Sequence, residues 1–201
     1  MSSKQCPSCG APIEITNRFA KVLVCQYCDT HSTIQDDGLD AIGKFAKMAD
    51  FPSYLSLNDT GTLLGKPFKA VGRIRYKYDG GHYDEWFLDY DGGNAWLTED
   101  EGTLALFTDL YEEVDMDEAR EARAGQIIMV GDKKVMVKER GDAEVEGCEG
   151  ELFFYEEPGT EITYIDGVSD GKKVSIEFSD DEIEFFIGRP LMKRDVQIEG
   201  R

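Results

Sequence analysis

Long apolar runs are missing from this chain. No stretch approaches the ~18 consecutive apolar residues of a membrane-spanning helix, and the opening "MSSKQCPSCG" lacks a signal-peptide core. These absences set the expectation of a cytoplasmic protein, where disulfides are disfavoured and paired cysteines point to metal or redox work. Basic residues are scarce: 22 Lys and Arg stand against 41 Asp and Glu, a net charge of −19. That charge repels nucleic-acid phosphates and anionic lipid, and suits a cationic partner or plain solubility. Histidine is rarer still, with His31 and His82 alone. No Gly-rich phosphate loop, no G-x-S-x-G and no H-E-x-x-H occurs, so the usual signatures of nucleotide binding, serine esterases and zinc proteases are absent.

What is there begins with "CPSCGAPIEITNRFAKVLVCQYCDT". Cys6 and Cys9 form one CxxC pair and Cys25 and Cys28 the other, with fifteen residues between. That is the spacing of a zinc ribbon. Two CxxC turns can aim four thiolates at one point and supply a tetrahedral site, with Gly10 permitting the tight backbone of the first. Ile13, Ile15, Phe19, Val22 and Val24 partly alternate with polar residues, as a small hairpin would. Zinc is the expected ion; iron in a rubredoxin-like site is the rival. Thioredoxin-type CxxC motifs come singly in a βαβ context, which argues against redox work. Four thiolates close the coordination shell, so the expected role is structural, with His31 a bystander. Residues 1–35 carry Lys4, Arg18 and Lys21 against Glu14 and Asp29, too little positive charge to grip phosphates.

At 201 residues with 41% hydrophobic content, the chain can form one ordinary domain plus a small accessory module. Residues 36–50 read as a connecting helix, with Leu39, Ile42, Phe45, Ala46 and Ala49 near one face. From Thr60 onward, short runs rich in Val, Ile, Phe, Tyr and Trp alternate with Gly, Asp and Asn turns, the texture of a sandwich or barrel. The expected class is mainly β: a small N-terminal zinc ribbon plus an all-β domain of two duplicated barrel- or sandwich-like halves. "GTLLGKPFKAVGR" is echoed by "GQIIMVGDKKVMVKER", "DEWFL" by "EGELFF", and "EGTLALF" by "DEIEFFIG". The expected organisation is a ribbon over 1–35, a helical linker over 36–59, β halves over 60–124 and 125–192, and a tail over 193–201, whose closing "IEGR" carries no functional weight.

Candidate binding residues are Asp84, Glu85, Trp86 and Trp96, with Glu149 and Glu151 at the place the repeat makes equivalent to Asp84 and Glu85. His82 precedes the first acid pair at a hairpin tip. An acid pair beside His and Trp can do acid–base work, but a turn followed by a strand with Trp86 in the core accounts for the same residues. Cys148 reads as a small buried hydrophobe. Tyr78 to Ala119 holds fourteen acids and no Lys or Arg, a solvated face or a docking face for a cationic partner or polyamine. "DYDGGN" departs from the EF-hand pattern and reads as a two-strand turn.

The second half resembles the bacterial family called domain of unknown function 4178. The resemblance is carried by the ERG of Glu139 to Gly141, the EGEL of Glu149 to Leu152 and the GRPL from Gly188. The first half joins through "GKPFKAVGRIRYKYDGGHYDEWFL" and "AWL", so the likeness covers about 60–191. The family usually has Pro–Trp or a similar pair after EGEL; here Phe153 and Phe154 follow, still a bulky apolar pair. The resemblance brings no established activity and transfers no catalytic residue. It implies an accessory role near membrane-stress systems of the phage-shock type and polyamine-synthase-like neighbours. The functional expectation is a non-enzymatic adaptor that binds another protein, cationic or membrane-associated, and not nucleic acid. Its alternative is a small-molecule binder or enzyme using the clustered carboxylates.

Overall fold

The computed structural model describes residues 2–49, 51–111, 117–178 and 183–200. The first module is built from β1 (Ser2–Gln5), β2 (Pro12–Ile15), β3 (Val22–Val24), β4 (Thr30–Ile34) and β5 (Leu39–Lys44). β1 pairs with β2, while β3, β4 and β5 form an antiparallel sheet. Its small core is Ile13, Ile15, Leu23 and Leu39 around Cys6 and Cys25.

The linker departs from expectation. Residues 39–44 form a strand, turned back on β4 through Gly38, whose carbonyl accepts from the Gln35 amide. Gly38 and Gly43 each weaken a helix by about 1 kcal/mol, and the open edge of β4 offers a ladder of backbone hydrogen bonds instead. Of the expected helical stripe only Leu39 is buried; Ile42 is 39% exposed.

Beyond the linker come β6 (Thr60–Leu63), β7 (Lys66–Tyr78), β8 (Gly81–Tyr90), β9 (Gly93–Asp100) and β10 (Thr103–Tyr111). After a short helix, α1 (Asp117–Arg120), follow β11 (Ile127–Val130), β12 (Lys133–Leu152), β13 (Glu161–Ser169), β14 (Lys172–Phe178) and β15 (Ile183–Leu191). β7 to β10 form one meander and β12 to β15 another. β10 pairs with β15, and β7 pairs with β12, so eight strands close a ring. The internal doubling is visible in the topology: β6 leads into β7 as β11 leads into β12. The first and third sequence echoes fall on equivalent strands. The second does not, because Asp84 lies on β8, whose counterpart is β13, whereas Glu149 and Glu151 end β12.

Strand alternation divides the side chains into two sets. One set faces the ring interior, where Tyr83 of β8 meets Tyr164 of β13 edge-on at 6.0 Å. The other set forms an apolar cluster in each half. The first includes Trp86, Leu88, Leu97 and Leu104, packed against Leu55, Leu63 and Val196. The second includes Val135, Ile165, Val174 and Ile176, packed against Ile128, Val130, Ala119 and Ala122. Val196–Ile198 is itself a strand, β16, paired with β6 after a 3-10 turn at Lys193–Asp195. The segment expected as a tail therefore borders the first apolar cluster, because its alternating Val196 and Ile198 find the open edge of β6.

Candidate metal centre and ribbon–barrel junction

Two backbone turns build the four-cysteine cluster. The amide of Gly10 donates to the Cys6 carbonyl at 2.9 Å, and the amide of Asp29 to the Cys25 carbonyl at 2.9 Å. The residue after each second cysteine adopts a left-handed conformation, φ +73° at Gly10 and +56° at Asp29. Glycine takes this conformation freely, and aspartate is among the side chains that tolerate it. The turns bring the Sγ atoms of Cys6, Cys9, Cys25 and Cys28 within 4.8 Å of one another. Cys6 to Cys28 is 3.7 Å and Cys9 to Cys25 is 3.9 Å. Four sulfurs each ~2.3 Å from one ion would sit about 3.8 Å apart, so the cluster can hold a metal. Thr30's hydroxyl, 3.2 Å from Cys28 Sγ, holds that thiol low, at about 6, whereas burial pushes Cys25 up to about 12. A metal would take all four as thiolates and displace their protons. His31 is not part of the cluster; it is buried against Phe45 and Tyr155, and burial lowers its pKa.

The ribbon is joined to the barrel at the end of β12. β3 pairs with Glu151 and Leu152, and Val22 and Val24 join the cluster that fills one end of the ring interior. Glu151, 6% exposed, accepts from the Thr16 amide at 2.9 Å, the Thr16 hydroxyl at 2.9 Å and the Asn17 amide at 2.7 Å. Gly150, at φ +76°, faces Gly72 of β7; a Cβ on either would run into a carbonyl, of Val71 or of Glu151. Glu149 pairs with Arg73 at 2.8 Å. EGEL is thus an ion pair, a strand crossing, a clamp and the core residue Leu152. Phe153 and Phe154 pack next to it, on Phe87 and Trp96. The other motifs are also architectural. Arg140 donates to the Arg120 carbonyl at the end of α1 at 2.6 Å, Glu139 accepts from the Tyr164 hydroxyl at 3.1 Å, and Leu191 of GRPL joins the first apolar cluster.

The proposed binding residues do not form one surface. Asp84 is buried in a two-pronged ion pair with the fully buried Arg75, 2.7 Å on each prong. Trp86 has no exposure and lies under the Arg73 guanidinium at 4.9 Å. Glu85 and Trp96 face the ring interior, while Glu149 and Glu151 belong to the junction. The periodicity of β8 explains the split: Asp84 and Trp86 point to one side and Glu85 to the other. Cys148 is buried, as expected, and burial pushes its thiol up to about 12. His82 stacks on Phe51 at 4.7 Å. The acidic stretch is not one docking face among the described residues. Glu99 accepts from Ser53 and Tyr54, Asp100 from Tyr78, and Asp91 pairs with Lys66; residues 112–116 lie outside the described part.

Sequence reading missed a cleft of about 740 Å³ between ribbon and barrel. Its walls include Ile13 and Glu14 of β2, Tyr27, Lys47 and Met48 of the linker, and Lys69 and Glu149 of the barrel. No local pattern marks it, since its walls come from three distant segments. A family model described as domain of unknown function (DUF4178) matches residues 56–193. No curated protein and no solved structure matches the chain.

Proposed function

The chain belongs to the DUF4178 family, and on that footing we propose that it is a non-enzymatic accessory protein whose structural zinc ribbon forms one wall of a partner-binding cleft. The observation that carries this reading is the ~740 Å³ cleft, walled by ribbon, linker and barrel together. Ligand and peptide sites favour such concave junctions. Four thiolates would leave no open coordination position, so the metal's work is to hold the wall. Zinc is the metal proposed, and metal analysis separates it from iron, which takes the same sulfur tetrahedron. A reducing, cytoplasmic setting is part of the proposal, because sulfurs 3.7–3.9 Å apart would otherwise be prone to oxidation. The envelope-linked, membrane-stress setting implied by the resemblance stands as part of the same proposal.

The small-molecule alternative keeps one point in its favour: the cleft volume falls within the usual ligand range of about 300–1,000 Å³. Its catalytic form needs converging carboxylates. Asp84 is instead paired with Arg75 and Glu149 with Arg73, Glu151 is taken up by the donors of Thr16 and Asn17, and Glu85 lies in the ring interior.

The test is affinity capture from the native cell, membrane fraction included, read by mass spectrometry. Deleting residues 1–35 would strip Val22 and Val24 from the barrel core, so point variants are needed. Glu14→Lys with Lys47→Glu reverses charge on the cleft rim, and Lys172→Glu is a control on the β13–β14 turn. A partner lost with the rim variant and kept by the control supports the reading. A partner kept by both moves recognition off the cleft, and no partner at all overturns the accessory role.

A further inference from the structure

The ring interior holds a second, smaller site. Glu85 of β8, Trp96 of β9 and Phe107 of β10 come from the first half, and Ser175 and Glu177 of β14 and Phe186 of β15 from the second. They line a void about the size of one water molecule. Phe107, Ser175 and Glu85 are buried, whereas Trp96, Glu177 and Phe186 are half-buried at its mouth. Glu85, at 8% exposure, has no hydrogen-bond partner among the described residues. A buried charge left in that state is costly, so the carboxyl takes either a proton or a counter-ion. The nearest cation does not supply it: Lys173 is held by Asp166 at 2.9 Å, and Ser175 donates to the same carboxylate at 3.1 Å. The remaining walls are aromatic faces, which attract cations.

We propose that this void receives the primary ammonium head group of an organic amine, with Glu85 and Glu177 as counter-ions and Trp96, Phe107 and Phe186 as aromatic walls. Size selects the head group, since an ammonium is close to water in volume and a trimethylated one is not. The alkyl tail would leave on the side of the half-buried Trp96 and Phe186.

Without a cation, burial pushes Glu85 up to about 8, with Glu184, Asp166 and Glu156 adding to the shift and Lys173 opposing it. Burial, then the Glu85 charge, raises Glu177 well above the carboxylate range. Tyr76 and Tyr83, which face the same interior, are held neutral by burial. At neutral pH Glu85 of the empty site therefore holds a proton, which an entering ammonium displaces.

The test is titration of the full-length protein with n-butylammonium chloride, against tetramethylammonium and sodium chloride at equal ionic strength. Tryptophan fluorescence reads Trp96 together with Trp86, which lies outside the void, and calorimetry in two buffers of different ionisation heat reads proton release. Saturable binding of n-butylammonium alone, with protons released, is the expected result. Glu85→Gln and Glu177→Gln keep the shape of each side chain and are expected to weaken binding at least about 10-fold, roughly the tenfold that 1.4 kcal/mol represents. Equal responses to all three salts, binding without proton release, or undiminished binding in the folded double variant would each overturn the proposal. None of these results bears on the ribbon cleft, whose test uses other residues.

Discussion

Replacing Glu151 by Ala would leave the amides of Thr16 and Asn17 without their acceptor at a buried junction. Each orphaned donor costs about 1–3 kcal/mol, so the variant is expected to lose on the order of 2–5 kcal/mol in chemical denaturation. A loss below about 0.5 kcal/mol, the usual ceiling for surface substitutions, would show that Glu151 is not the clamp. Glu85 makes a pH prediction. Its pKa is raised from 4.5 to about 8 in the folded state, so its favourable contribution is complete below about pH 4.5 and is lost as pH rises through about 8. Thermal stability is expected to fall between pH 6 and pH 8.5 in the wild type and to fall less in Glu85→Gln. Identical pH profiles would place that loss on Glu177 or another neighbour. At this scale the sequence was informative about the cysteines and Cys148 but misleading about the acids. Thiol spacing encodes its own geometry, whereas an acid's role depends on which way its strand faces.

At the scale of elements, β3 belongs to two cores: Leu23 sits with Cys6 and Cys25, while Val22 and Val24 join the barrel cluster. β3 places Val22 and Val24 among Val71, Ile74 and Phe87, so losing the metal should loosen more than the ribbon. Metal binding supplies folding energy to such modules, about 10–16 kcal/mol apparent in zinc-finger peptides. Treatment with a strong chelator, or Cys9→Ser, is therefore expected to lower the melting temperature of the barrel as well as to unfold the first strands. Protein purified under reducing conditions is expected to carry about one zinc per chain. An unchanged barrel transition on metal removal would make the ribbon an independent appendage. The linker shows why an element can be misread. Its apolar residues fit a helical period, but Gly38 and the free edge of β4 made the hairpin the better solution.

Across the whole molecule, the two halves are complementary parts of one ring. β7 needs β12 and β10 needs β15, and the interior cluster draws Tyr76 and Phe87 from one half and Val145 and Ile162 from the other. A fragment of residues 125–192 would expose two strand edges and half of that cluster. It is expected to show no cooperative unfolding transition on its own, measured by circular dichroism through a thermal ramp. A sharp transition would mean that the second apolar cluster suffices as an independent core.

Sequence alone determined the β class, the doubled pattern and the four-cysteine centre. Each rests on short-range regularities: strand alternation, turn residues, and thiols at fixed spacing. The ring closure, the clamp at Glu151, the cleft between ribbon and barrel, and the carboxyl–aromatic void were decided only in the tertiary structure. Those features join residues as far apart as Thr16 and Glu151, or Glu85 and Glu177. Strand register and ring closure set such pairings, and no local window of the sequence records them.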